Sequence, residues 1–81
     1  MKHGIGTWVI ALQDYGGADY WHAGDIGEII TVDLDNTYLV KFYNDMQHFG
    51  VNGGWWAGED DVEEIDEATA KALLLMKGIE L

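Results

Sequence analysis

The sequence predicts a mainly β fold, a small barrel of five short strands followed by a C-terminal α-helix. Five segments rich in β-branched and aromatic residues are separated by Gly, Asn and Asp turns, which is typical of small all-β barrels. After residue 65 the pattern changes to helix-forming residues. Because 81 residues suffice for one domain only, we expect a barrel over residues 1–65 and a helix over residues 66–81 that packs on it within the same domain.

The first two strands are predicted from apolar runs that border polar or glycine-rich segments. Residues 7–12 are β-branched and aromatic, and the polar, glycine-rich residues 13–17 follow them. Residues 26–34 follow a glycine-aspartate turn. Their alternation predicts a core face formed by Ile30, Val32 and Leu34.

A β-hairpin is the clearest local prediction. Residues 35–37 form a short polar turn, and residues 38–43 resume the alternation of a strand. Val40 and Phe42 are predicted to face the core, with Lys41 on the opposite face.

Two further strands are predicted on either side of an acidic turn. Residues 53–57 form the fourth strand, in which the neighbouring Trp55 and Trp56 must point to opposite faces. We therefore expect one of the two indoles to face solvent. Residues 62–65 form the fifth strand after the turn at residues 59–61.

Residues 66–78 carry both a start signal and a stop signal for a helix. Asp66 is predicted to cap the first amide groups, and Gly78 suits the left-handed position that closes a helix. The last turn, residues 73–76, is apolar on nearly every side, which is more than one barrel face needs. Either the turn joins two copies of the chain, or it packs on the barrel through Leu73 and Met76 while Leu74 or Leu75 stays partly exposed.

Three short motifs resemble those of the SH3-like (Src-homology-3-like) barrels. Residues 11–15, Ala-Leu-Gln-Asp-Tyr, are similar to the alanine-leucine-aromatic-aspartate-tyrosine signature of the eukaryotic domain, and residues 24–26 and 55–58 resemble its later motifs. The proline-tyrosine element with which that domain binds polyproline helices is missing from residues 59–62. The whole arrangement is more similar to the small stand-alone SH3-like proteins of bacteria and their phages, and this resemblance implies a five-stranded SH3-like barrel.

The charge of the chain restricts its partners. Lys and Arg number 4 against 15 Asp and Glu, a net charge of −11, and seven of the nine residues from Glu59 to Glu67 are acidic. Phosphate backbones and anionic lipids repel such a chain, so direct binding to nucleic acid or membrane is disfavoured. With no long apolar stretch at its start and no run near the roughly 20 apolar residues that span a bilayer, we expect a cytoplasmic protein.

Composition argues against catalysis and cofactor chemistry. The chain has no Cys, so disulfides, thiolate zinc sites and cysteine nucleophiles are excluded. It has no Ser either, and nearly all of its Thr and Tyr residues lie in predicted strands or loops. The histidines, His3, His22 and His48, lack the spacing of metal ligands. We expect no enzymatic activity, no cofactor and no metal site.

Two groups of residues are predicted to bind a protein partner. Large aromatic side chains are typical interface anchors; the candidates are Tyr15, Tyr20 and Trp21 after the first strand, and Trp55 and Trp56 on the fourth strand. Acidic side chains can steer a basic partner toward them; they are Glu59, Asp60, Asp61, Glu63 and Glu64.

The leading hypothesis is a non-enzymatic interaction module that binds a basic protein, such as a phage-type modulator or inhibitor of a host protein. One alternative is an acidic DNA mimic that blocks a nucleic-acid-binding protein, because clustered carboxylates can occupy sites meant for phosphates. The other alternative is a structural homo-oligomer joined through the C-terminal helix.

Overall fold

The computed structural model describes residues 3–14, 21–43 and 54–79. Within them the chain forms the strands β1 (Trp8–Ala11), β2 (Ile26–Val32), β3 (Thr37–Tyr43), β4 (Trp55–Gly58) and β5 (Val62–Ile65), and the helix α1 (Glu67–Met76). A short 3₁₀ helix, η1 (Glu59–Asp61), joins β4 directly to β5. The prediction of a mainly β fold with a C-terminal helix is confirmed. No helix in these ranges has both the length and the apolar character needed to cross a membrane.

The five strands form one antiparallel sheet in the order β4-β3-β2-β1-β5. β4 and β5 lie at opposite edges of this sheet, yet only the 3 residues of η1 connect them. Three residues of 3₁₀ helix advance the chain by about 6 Å, so the two edges must approach each other. The sheet therefore curls into a half-barrel.

The inner face of the half-barrel holds the first apolar core. Tyr38, Val40 and Phe42 occupy alternate positions of β3, and all three are buried. Gly27 of β2 leaves space for them, because a Cβ at this position would lie 2.5 Å from Val40 Cγ1. The predicted inward orientation of Val40 and Phe42 is confirmed. The other strands and the segment before β2 complete this core with Val9, Ala11, Trp21, Ile29, Ala57 and Val62.

The outer face of the sheet is covered by α1. Trp8 of β1 and Ile26 of β2 point away from the inner core and pack with Ala70 and Leu74 of the helix. Trp8 also stacks on Tyr43, with ring centroids 5.8 Å apart. The middle of the sheet is thus buried on both faces.

The predicted core face of β2 is wrong in part. The strand ends at Val32, and its pairing with β3 shifts between Ile29 and Thr31, which makes Ile30 a bulge. One extra residue changes the alternation, so the inward positions are Ile29, which is buried, and Val32, which packs against the inner core. Leu34 falls beyond the strand in the hairpin turn and is 95% exposed.

The predicted hairpin between β2 and β3 is confirmed. Asp33 N donates to Thr37 O at 2.9 Å, which closes the turn. Asn36 adopts a left-handed φ of 57°, a conformation that Asn tolerates better than most residues.

Both ends of α1 have the predicted capping residues. The Asp66 carboxylate accepts a hydrogen bond from Thr69 N at 3.2 Å, and Gly78 follows the helix with a φ of 79°. Lys77, just after the helix, donates to Gly24 O at 2.8 Å and lies 3.9 Å from Asp25 Oδ1. The end of α1 is therefore tied to the turn before β2.

The last turn of α1 packs differently from the predicted arrangement. Leu74 is fully buried. Met76, which was expected to pack on the barrel, is 83% exposed. Leu75 is exposed, as one interpretation allowed. The spacing explains the result, because Leu74 lies four residues after the buried Ala70 and therefore on the same side of the helix.

We expect Val40→Ala and Phe42→Ala each to lower the free energy of unfolding by about 2–5 kcal/mol, because truncation of a buried side chain leaves a cavity. Lys41→Ala, on the opposite face of the same strand, is the matched control and should cost about 1 kcal/mol or less. Denaturant unfolding followed by far-UV circular dichroism measures all three. Equal losses for the core and control variants would show that the register of β3 is wrong.

We expect the cap at Asp66 to make stability depend on pH. Hydrogen bonds from the side chain and then the backbone N–H of Thr69 hold the pKa of Asp66 below its ordinary value of 3.8. A depressed carboxyl pKa contributes stability above the unfolded-state pKa and loses it as the pH falls through the folded-state pKa. Asp66→Ala should therefore lower the melting temperature at neutral pH, and this difference should shrink in acid. Melting curves over a pH series test this, and a difference independent of pH would contradict it.

Candidate protein-interaction site

A groove of about 480 Å³ lies beside β5 and η1. It forms where the segment before β1, the residue after β1 and the η1–β5 segment meet. Four of its seven lining residues are Asp or Glu, so the groove is strongly negative. The lining consists of His3, Leu12, Glu59, Asp60, Val62, Glu63 and Glu64.

The groove follows the edge of β5 that faces away from β1. Consecutive side chains of a strand point to opposite faces, yet Val62, Glu63 and Glu64 all line the groove. Only a groove that runs alongside the strand meets both sets of side chains. Within the described part of the sheet, β5 pairs with β1 alone, which leaves its other edge toward the groove.

Asp61 fixes the position of η1 beside the groove. Its Oδ2 accepts a hydrogen bond from Gly58 N at 2.9 Å, and its Oδ1 accepts one from Gln13 Nε2 at 2.7 Å. Its backbone carbonyl accepts from Leu12 N at 2.9 Å. Both carboxylate oxygens of Asp61 are therefore engaged in holding η1 against the end of β1.

The side chain of His3 connects the segment before β1 with β5. Its Nδ1 lies 2.9 Å from Glu64 Oε1, and its ring centroid lies 5.3 Å from that of Tyr38. The His3 residue is only 5% exposed, and a buried imidazole requires a polar partner. Glu64 supplies that partner, so this carboxylate too has a structural contact.

Three carboxylates of the groove have no hydrogen-bond or ion-pair partner among residues 3–14, 21–43 and 54–79. Asp60 and Glu63 are exposed and Glu59 is half-buried. Their negative charge is available to a partner, and each can accept hydrogen bonds from Lys or Arg.

The described lysines lie elsewhere. Lys71 pairs with Glu67 on α1 at 3.3 Å, and the Lys41 ammonium lies 5.2 Å from the centroid of the Tyr43 ring. Lys77 is held at the turn before β2. None of these cations lines the groove, and no cluster of three His, Asp or Glu side chains in the described ranges is arranged to hold a metal ion.

Trp21 is part of the inner core, so the expectation that it is an exposed aromatic anchor is wrong. It is 1% exposed and stacks on Phe42, with ring centroids 5.1 Å apart. Its indole N–H donates to Gln13 O at 3.1 Å. The loop position suggested exposure, but an indole whose N–H finds a backbone carbonyl is readily buried.

The two tryptophans of β4 point to opposite faces, as expected. Trp55 is half-buried against the inner core, and Trp56 is 41% exposed on the outer face. Trp56 pairs in register with Leu39, whereas the groove follows β5. Neither tryptophan lines the groove. Tyr15 and Tyr20 lie outside the described residues.

Three groove residues, His3, Leu12 and Val62, are absent from the predicted site. Val62 is predicted only as part of the fifth strand. His3 was considered only as a metal ligand, because its contact with Glu64 joins residues 61 positions apart and leaves no local signal. Leu12 was assigned to the first strand, but β1 ends at Ala11 and the Leu12 side chain is left 51% exposed. It gives the acidic groove an apolar contact.

No match was found to a protein-family model, to a curated protein or to a solved structure.

We expect Trp21→Ala to lower the free energy of unfolding by about 3–5 kcal/mol, because it removes a large side chain from the core. Trp56→Ala, on the exposed side of β4, is the matched control and should cost about 1 kcal/mol or less. Denaturant unfolding followed by far-UV circular dichroism measures both. A Trp21 variant as stable as the Trp56 variant would contradict the buried position.

Proposed function

We propose that this protein is a non-enzymatic interaction module, an SH3-like barrel that binds a basic segment of a protein partner in the groove along β5. The curled sheet of five antiparallel strands, with a helical turn between its two edge strands, supports the SH3-like part of the proposal. The observation that carries the binding part is the groove, where carboxylates with no partner among the described residues lie beside an exposed leucine.

A basic partner fits this groove because of both its charge and its shape. Glu59, Asp60 and Glu63 attract cations, and the net charge of −11 guides the approach from a distance. Surface ion pairs contribute little on their own, about 0.2–1 kcal/mol each. The apolar contact with Leu12 adds affinity that does not depend on salt.

The burial of Trp21 changes the proposed anchor. An anchor must be exposed before binding and covered afterwards, and Leu12 meets this condition in the groove while Trp21 does not. Trp56 is exposed on the outer face of β4 and would bind only a partner that reaches beyond the groove. The acidic side chains therefore carry more of the proposed recognition than the aromatic ones.

Electrostatic steering of a basic protein partner is favoured over mimicry of DNA phosphates. A duplex presents one charge per about 1.7 Å along its axis, which requires a continuous stripe of free carboxylates. Asp61 and Glu64, however, are engaged in internal contacts. The three carboxylates that remain form a local cluster. The proposal is accordingly a protein that binds a basic protein segment, such as a modulator or inhibitor of that partner.

We expect a Lys-rich synthetic peptide to bind, and a Glu-rich peptide of the same length not to bind. Glu59→Gln, Asp60→Asn and Glu63→Gln combined should weaken the peptide affinity about tenfold at low salt, from three exposed ion pairs. Asp33→Asn, Asp35→Asn and Glu67→Gln combined change the net charge equally but lie outside the groove, so this control should weaken binding much less.

Association and dissociation rates at two salt concentrations complete the test. Steering predicts that the groove variant loses association rate and salt dependence, whereas lost phosphate mimicry would mainly accelerate dissociation. If the groove and control variants lose the same peptide affinity, net charge alone accounts for binding and the proposed site is wrong. Light scattering of the same samples reports any self-association through the exposed Leu75 and Met76.

A further inference from the structure

The hydrogen bonds of β1 reveal which backbone groups of β5 point outward. Leu12 N donates to Asp61 O, so the backbone of residue 61 faces β1. In an antiparallel pair, successive residues of a strand direct their N–H and C=O groups alternately to the two sides. Glu63 and Ile65 therefore direct their backbone N–H and C=O groups toward β1. Val62 and Glu64 direct theirs away from it.

The backbone hydrogen bonds of Ala11, on the other side of β1, show the same alternation of backbone directions. Ala11 N donates to Asp25 O at 2.8 Å, and Ala11 O accepts from Gly24 N at 2.8 Å. Ala11 thus faces the β2 side of the sheet, although its register partner on β5 is Val62. Val62 and Ala11 form a pair without mutual backbone hydrogen bonds, as the alternation requires.

Three of the four outward backbone groups of Val62 and Glu64 have no partner within the described ranges. The N–H of Val62 is already used, because the 3₁₀ helix η1 (Glu59–Asp61) is closed by a hydrogen bond from this group to Glu59 O. The C=O of Val62 and both backbone groups of Glu64 take part in no backbone hydrogen bond given for the described ranges. Both residues line the groove. The groove therefore offers one backbone donor, the N–H of Glu64, and two backbone acceptors, the C=O groups of Val62 and Glu64, with carboxylates on both sides of them.

We infer that the partner segment binds as an added β-strand, which pairs with Val62 and Glu64 along the edge of β5. This inference rests on the proposed function and specifies its occupant: an extended segment of a protein that carries Lys or Arg at alternate positions. Backbone hydrogen bonds supply affinity in strand addition, and the side chains at alternate positions supply specificity. Here the basic side chains meet Glu59, Asp60 and Glu63, which complement them in charge.

The length of β5 sets the size of the occupant. The strand has 4 residues, of which two point outward, so three to five residues of a partner suffice to use every free backbone group. A helical segment cannot bind in this way, because its backbone groups are already paired internally. The inference therefore separates extended basic segments from basic helices of equal charge.

The first test uses a synthetic peptide of alternating Lys and Val and the same peptide N-methylated at its internal backbone nitrogens. Methylation keeps the charge and removes the N–H donors. Strand addition predicts that methylation weakens binding at least about tenfold, the equivalent of two hydrogen bonds. It also predicts that the unmethylated peptide slows hydrogen exchange of the Glu64 amide, as measured by nuclear magnetic resonance on the full chain.

The second test compares Glu64→Pro with Glu64→Ala. Both remove the carboxylate that binds His3, but only proline removes the outward N–H, and an edge strand tolerates proline at such a position. Strand addition predicts that the proline variant binds the peptide more weakly than the alanine variant. Melting curves establish that both variants are folded, and the methylated peptide decides the question if the proline variant is not.

The outcomes distinguish this inference from the proposed function. Equal binding of the methylated and unmethylated peptides, without protection of the Glu64 amide, overturns strand addition and leaves the acidic groove as the site. Failure of every basic peptide to bind overturns both. Protection of the Glu64 amide that persists after Glu59, Asp60 and Glu63 are neutralised supports strand addition and overturns the requirement for a basic partner.

Discussion

The apolar run of β1 is the constraint on which the rest of the structure depends. Trp8–Ala11 contains no charged side chain, so both faces of this strand must be covered. The inner core covers Val9 and Ala11, and α1 covers Trp8. The backbone of β1 pairs with β2 on one side and with β5 on the other. The same strand therefore requires the half-barrel and the helix, and it holds β5 in place at the edge where the groove lies.

The sequence predicted the elements whose signals are local. Alternation placed Val40 and Phe42 in the core, and Asp66 and Gly78 marked the ends of α1. Features that depend on tertiary contacts were missed. The bulge at Ile30 changes the face of every residue after it, and no composition signal announces one extra residue. The contact between His3 and Glu64 and the burial of Trp21 depend on chain segments that meet only after folding.

The acidic run from Glu59 to Glu67 divides into residues with structural contacts and residues that face solvent. Asp61 fixes η1, Glu64 holds His3, and Asp66 caps α1. These carboxylates stabilise the fold through hydrogen bonds that neutral residues would make less strongly. A count of acidic residues in the sequence therefore overestimates the charge that is free for a partner. Geometry was needed to reduce the candidate set to Glu59, Asp60 and Glu63.

The edge of β5 away from β1, which pairs with no other described strand, also governs how two copies of this chain meet. An unpaired strand edge is a template for edge-to-edge aggregation, which natural proteins oppose with charged side chains. Two β5 strands side by side would bring Glu63 and Glu64 of each copy close to those of the other, and like charges opposite each other repel. Charge repulsion thus opposes the pairing of two β5 edges. Because this repulsion reaches only about 10 Å at 0.1 M salt and less at higher salt, ionic strength controls the colloidal stability of the protein.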